Sequence, residues 1–330
     1  MKRVGFRTVA QVVGFALGLG ILGWVVVEAF GKMTPEDWDR LRGASTLQLT
    51  GLVGLGGASV ILNGVIWWIA ARPVRRMPLV DTMSVNALAT LLAYAPFKLS
   101  VVFRATYHRV VDGLPVLTFG GWTAAIAATL VAGFGPALVL RLTPLAASPA
   151  VWLGVSVVGA VASAAVLAIA SRSLSTGRGW RCVRRTTFRL RGRAGLRLVR
   201  GRLFTNVHAG AYMLASLPAV AAASVLRFVD GLGIGARFLI AAALLGYDLD
   251  TGTALVAGVA FFLIGALAPT GAAGVREGGA SGVLALLGVT EAVIPVVLFV
   301  TATQVLGELV VGGAALAWLG PRRLRGLRSA

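Results

Sequence analysis

Arginine and glutamate stand side by side at Arg276 and Glu277, inside the run Ala268-Pro-Thr-Gly-Ala-Ala-Gly-Val-Arg-Glu-Gly-Gly279. This run is a Pro/Gly break between two apolar segments. A helix beginning near Val275 would aim its free N–H groups at an anion. Gly271 and Gly274 allow close backbone approach, and an arginine can hold a phosphate through two parallel hydrogen bonds. A charge at the centre of a membrane helix costs about 2.5–3.5 kcal/mol on insertion scales, so neither side chain is expected to face lipid. The chemistry on offer is recognition of a phosphate-bearing group, such as a lipid head group, in a water-filled or charge-paired cavity. The plainer alternative is a turn between helices with both charges in water.

Two further sets of residues bear on that chemistry. Asn86 precedes Pro96-Phe-Lys98, and Arg104 follows. Lys98 and Arg104 would add positive charge at the end of a short apolar segment, or else simply snorkel to an interface. Thr301, Gln304 and Glu308 fall three and four residues apart, so they share one helix face. Glu308, within an apolar run, is expected to face the protein interior. There it would pair with Arg276 or Arg237, or relay a proton, with Gln304 beside it.

Other chemistries lack their residues. The chain has one cysteine and two histidines, too few for most catalytic constellations. Lone Cys182 has no paired thiol or histidine cluster around it, which argues against a metal site. His108, in a basic stretch, reads as a surface residue. There is no P-loop, dinucleotide fingerprint, zincin helix or nucleophile elbow. The chain is expected to have no cofactor and no metal, and not to be an enzyme.

The elements that must position these residues are membrane helices. Of 330 residues, 57% are hydrophobic and only 13% charged, about half the charged fraction of a soluble domain. Mean hydropathy is +0.86. The net charge of +19 would suggest nucleic acid on a soluble protein, but here 24 of the 31 basic residues lie in five short clusters between apolar runs. Basic loops stay on the cytoplasmic side, and anionic lipid attracts them by about 1 kcal/mol per charge. The largest cluster, eleven arginines from Arg172 to Arg202, is therefore expected to meet anionic lipid, with no nucleic-acid partner.

A crossing needs about 20 apolar residues. Thr8–Phe30, Leu47–Ala70, Val116–Leu140, Ala150–Ser171, Phe204–Val229 and Ala292–Trp318 qualify. The expected protein is all-α: a polytopic helical membrane protein with about six to eight crossings plus re-entrant segments. It forms a single integral membrane domain over residues 1–330, with a first half at 1–140, a second half at 150–320 and a basic cytoplasmic loop at 172–203. Keeping every basic cluster inside makes Thr82–Phe97 begin and end on one side, as a re-entrant segment. Such backbone is tolerated at membrane depth only where protein or water covers it. Leu232–Tyr247 and Thr253–Pro269 either re-enter from the opposite side or cross as a pair. This arrangement suggests an inverted repeat of the kind secondary transporters build around a midplane site. Both termini are expected in the cytoplasm of a plasma (inner) membrane protein.

The Gly-x-x-Gly-Val-Arg-Glu run at Gly271–Glu277, followed by an apolar helix and the Gly288–Val289 turn, resembles the transmembrane region of lysylphosphatidylglycerol synthases. This is the flippase-like family that also occurs as stand-alone membrane proteins. Asn86, Pro96, Lys98 and Arg104 look like that family's first motif. Gly271-Ala-Ala-Gly274 departs from the usual Gly-Gly-x-Gly lead-in, and Lys98-Leu-Ser-Val from Arg-x-Gly-Glu. The resemblance covers about Val9 to Leu319 and implies a membrane domain that moves phospholipids or lipid-linked molecules between leaflets. The aminoacyltransferase domain of the two-domain relatives has no room in this chain. Two rival readings remain: a non-transporting partner of a cell-envelope enzyme, docked through Arg172–Arg202, and a small-solute secondary transporter.

Overall fold

The computed structural model describes Val27, Gly31 and residues 33–94, 99–141, 148–267, 275–289 and 293–325. Of the expected first crossing, Thr8–Phe30, only Val27 is among them. The described residues form α-helices, one 3₁₀ turn and no strand.

The chain runs α1 (Pro35–Arg42), α2 (Thr46–Ala71), α3 (Leu79–Leu91) with a 3₁₀ turn at Leu92–Tyr94, then α4 (Leu99–Val110), α5 (Val116–Arg141) and α6 (Pro149–Ser175). It continues through α7 (Gly177–Arg200), α8 (Arg202–Leu214), α9 (Leu217–Leu245), α10 (Thr251–Leu267), α11 (Val275–Leu286) and α12 (Val293–Arg325). Five of these are long and apolar enough to cross a bilayer: Thr46–Ala71, Val116–Leu140, Ala150–Ser175, Leu217–Leu245 and Ile294–Gly320. The shortest of the five has 25 residues, about 37 Å of helix against a hydrocarbon core of about 30 Å. Leu79–Tyr94 and Thr251–Ala266 are apolar but shorter.

The distribution of side chains is that of a membrane-embedded protein. Val155, Val158, Val161, Val166 and Ile169 on α6 are exposed, while Asn86, Arg227, Arg237, Thr301 and Glu308 are buried. In water an exposed valine stripe of this kind would be an association surface. In a bilayer the solvent is itself apolar, and polar groups turn inward.

Two expectations about helix boundaries are corrected. Phe204–Val229 is not one crossing, because α8 ends at Leu214 and α9 begins at Leu217. Pro218 causes the break: proline disfavours helical backbone at the residue before it and fits only the first turn. Val220 N–H donates to Ser216 O at 3.0 Å to start the new helix. Leu232–Tyr247, in turn, is not a separate piece but the second half of α9. Asp230 reads as a break, yet Arg227, Asp230 and Arg237 are all at most 1% exposed, and α9 runs through them. The basic stretch after α6 is also helical, bending at Gly192, whose φ is 53°.

The chain divides into two compact units. The first comprises Met1–Ile61, Ser84–Arg104 and Asp230–Trp318; the second comprises Leu62–Met83, Ala105–Val229 and Leu319–Ala330. In the first, an apolar core gathers Leu52, Phe238, Leu245, Phe261, Leu284 and Val300. A Cβ on Gly307 would lie 2.6 Å from the Gly57 nitrogen and from the Val53 oxygen. The backbones of α2 and α12 therefore touch, the small-residue packing that membrane helices use in place of a hydrophobic driving force. In the second unit, Trp67, Phe119, Trp122 and His108 form an aromatic cluster, with Trp67 and Trp122 ring centres 4.9 Å apart. Trp122 Nε1 donates to Trp67 O at 3.1 Å.

Candidate functional site

The first unit holds a group of charged side chains away from solvent. Arg276 and Glu277 occupy the first turn of α11 and are each 7% exposed. Adjacent residues on a helix normally diverge, yet Arg276 Nε donates to Glu277 Oε1 at 2.7 Å. Arg276 Nη2 donates to the Tyr94 hydroxyl at 2.7 Å, and Nη1 lies 3.9 Å from Glu308 Oε1. The guanidinium also lies against two rings, 4.9 Å from the centre of Tyr94 and 4.8 Å from that of Phe261. Such contacts favour a desolvated cation.

Local packing brings Arg276 there. A Cβ at Gly265 of α10 would sit 3.0 Å from Arg276 Cβ, so the absence of a side chain lets α11 seat its first turn against α10. Tyr94 reaches Arg276 from the 3₁₀ turn that follows α3. Thr301 Oγ1 donates to Glu277 Oε1 at 3.2 Å from α12.

The network continues along α12. Gln304 Nε2 donates to Glu308 Oε1 at 2.7 Å. Arg237 of α9 donates from Nη1 to Gln304 Oε1, and from Nη2 to Val300 O at 2.7 Å and Thr303 Oγ1 at 3.2 Å. Two arginines and two glutamates thus form one connected set whose formal charges cancel. Its hydrogen bonding is incomplete: Arg237 Nε, Glu277 Oε2 and Glu308 Oε2 have no hydrogen-bond partner among the described residues. Bare buried oxygens of this kind are costly and mark places where a proton or a ligand group fits.

Of the residues singled out in the sequence, Arg276, Glu277, Glu308, Gln304, Arg237 and Thr301 come together here. Asn86 and Arg104 form a second pair: Arg104 Nη2 donates to Asn86 Oδ1 at 2.9 Å, while Asn86 Nδ2 donates to Val60 O at 3.2 Å. Lys98, Gly271 and Gly274 lie outside the described residues. Tyr94, Phe261 and Thr303 went unnoticed in the sequence. Tyr94 carried a signal, since it is the only residue of Thr82–Phe97 with both a ring and a hydroxyl.

His108 is not a surface residue. It is 2% exposed, its Nδ1 lies 2.6 Å from Asp112 Oδ2, and the Trp122 ring centre is 4.9 Å away. A carboxylate one helical turn on and an aromatic wall give a histidine a stable buried place, and both were readable in the sequence at positions 112, 119 and 122.

Fold and site together define a polytopic helical membrane protein with a charge-paired buried cluster. No family model matches the chain, and neither a curated protein nor a solved structure is similar to it.

Proposed function

We propose that this chain is a lipid translocase of the flippase-like kind, moving a phospholipid or lipid-linked molecule between leaflets. The observation that carries the reading is the buried, mutually paired set of Arg276, Glu277, Glu308 and Arg237. Ionisable residues at membrane depth are retained for substrate or ion pathways. Here they sit where two short helices, α3 with its 3₁₀ turn and α11, end or begin. Short helices ending inside a bundle are how transporters place polar groups near the midplane. In this reading a phosphate head group takes over the part of Arg276 that now faces Glu308, and Arg104 with Asn86 contributes a further cationic position. The similarity of Gly271–Glu277 to the flippase-like family points the same way.

The reading places both termini and α7 on the cytoplasmic side of a plasma membrane, as the basic clusters require, with anionic lipid against α7. A second reading has one observation in its favour. Arg178, Arg181, Arg184, Arg185 and Arg189 all project from α7 into solvent, a face that would also dock an acidic envelope-enzyme partner.

The deciding experiment reconstitutes the purified protein in liposomes with fluorescent phosphatidylglycerol and adds a membrane-impermeant quencher. Quenching beyond the protein-free level supports translocation. Quenching held at the protein-free level, with or without a pH gradient, removes phosphatidylglycerol translocation and leaves the docking reading.

A further inference from the structure

We infer that the buried cluster binds its anion together with one proton, which Glu308 takes up. The proposal rests on the translocase reading only for the identity of the anion.

Charge balance within the cluster calls for the proton. Arg237 and Arg276 bring two positive charges; Glu277 and Glu308 bring two negative ones. Glu308 is 2% exposed and Arg237 fully buried. A singly charged phosphate diester entering this set leaves it one negative charge in excess, which a buried site strongly disfavours. A proton arriving with the anion restores neutrality.

Geometry selects the acceptor. Glu277 Oε1 receives Arg276 Nε at 2.7 Å and Thr301 Oγ1 at 3.2 Å. Glu308 has no direct hydrogen bond to a cation; its Oε1 receives Gln304 Nε2 at 2.7 Å and stands 3.9 Å from Arg276 Nη1. Phosphate oxygens binding Arg276 Nη1 would therefore displace Glu308 from its ion pair and leave the Glu277 bond in place. Glu308 Oε2 has no partner among the described residues and accepts the proton from water, forming an O–H bond that breaks again when the anion leaves. The charged and titratable groups around it are Arg276 and Glu277 from α11, Tyr94 from the 3₁₀ turn, and Arg237 from α9. Asp230 stands two turns before Arg237 on α9 and has an interaction of its own. Gln304, bridging Arg237 and Glu308, fixes the carboxyl while it changes charge. Loading is then favoured on the more acidic side of the membrane, so a proton gradient gives the movement a direction.

The test is calorimetric titration of the detergent-solubilised protein in two buffers of different ionisation enthalpy, from mildly acidic to mildly alkaline pH. Dioctanoyl phosphatidylglycerol is the lipid probe, dimethyl phosphate the tail-less diester, and dioctanoylglycerol the uncharged control. The expected result is uptake of about one proton per anion, with affinity falling about tenfold per pH unit once Glu308 is ionised in the free protein. In E308Q uptake vanishes and affinity becomes flat with pH, whereas E308D, which keeps a carboxyl at this position, retains uptake. Phosphatidylglycerol binding to the wild type without proton uptake, or uptake persisting in E308Q, overturns the proposal. If translocation is intact in liposomes while uptake is absent, this proposal alone fails. If only dimethyl phosphate binds with a proton, the site serves a free phosphate ester and the lipid reading fails instead. If neither anion binds, both are lost.

Discussion

The chain keeps arginine in two contrasting settings. Arg178, Arg181, Arg184, Arg185 and Arg189 on α7 stand in solvent, on a helix without a single acidic residue. Arg237 and Arg276 are buried, and each guanidinium meets a carboxylate, a hydroxyl, an amide or a ring. Among the described side chains of α7, Trp180, Val183 and Thr187 are half-buried, with Gly179 beside them, and they form one face. Trp180 packs on Phe204 and His208 of α8, with ring centres 4.5 and 4.3 Å away. The exposed positions include all five of these arginines, together with Cys182 and Phe188. The difference is one of freedom: an exposed arginine acts through a field that salt screens over a Debye length, whereas a buried one is held in one geometry by directed hydrogen bonds.

The largest effect should come from breaking the buried pairing. R276A leaves Glu277 and Glu308 without their cation, and removing one partner of a buried pair costs about 3–5 kcal/mol. Thermal unfolding in detergent should show this loss, and the charge-neutral double variant R276Q/E277Q should recover most of it. If R276A unfolds like the wild type, Arg276 is not holding the cluster and the contrast with α7 collapses. A smaller loss, about 1–3 kcal/mol for overpacking, is expected for G265V, whose new side chain meets Arg276 Cβ. An unchanged melting temperature in G265V would mean that α10 and α11 have room that the 3.0 Å approach denies. The smallest effect belongs to α7. Changing Arg178, Arg181, Arg184 and Arg185 to glutamine should alter stability by no more than about 0.5 kcal/mol per site. Cys182, exposed on the same helix and the only cysteine in the chain, should react with a membrane-impermeant maleimide in inverted vesicles and not in intact cells. Labelling in intact cells would place α7 on the outer side.

Much of the architecture was legible because hydropathy is a strong signal at the scale of a crossing. Four of the expected crossings, beginning at Leu47, Val116, Ala150 and Ala292, coincide with long helices. The fifth described one differs from the expected Phe204–Val229 because two cues of opposite weight flank it. Pro218 lies inside that apolar run, and Asp230 stands at its end. A proline acts on the backbone at once, whereas an aspartate ends a membrane helix only if nothing inside the protein answers it. The charged cluster was half legible. Arg276 and Glu277 stand out because charge is rare in this chain, and the three- and four-residue spacing of Thr301, Gln304 and Glu308 puts them on one face of α12. Their common meeting point with Tyr94 was not, since that hydrogen bond joins residues 182 positions apart and no periodicity encodes it. His108 shows the same limit in reverse: its neighbours Asp112 and Trp122 were visible, but their convergence depends on the turn between α4 and α5.

The most direct test sets the two kinds of arginine against each other in one assay. Phosphatidylglycerol translocation would be measured in liposomes carrying the wild type, R276Q/E277Q, or the α7 glutamine variant, all at matched protein density. The account predicts protein-free rates for R276Q/E277Q and rates near the wild type for the α7 variant. Full activity in R276Q/E277Q, or loss confined to the α7 variant, would contradict it and move the function from the buried cluster to the basic surface.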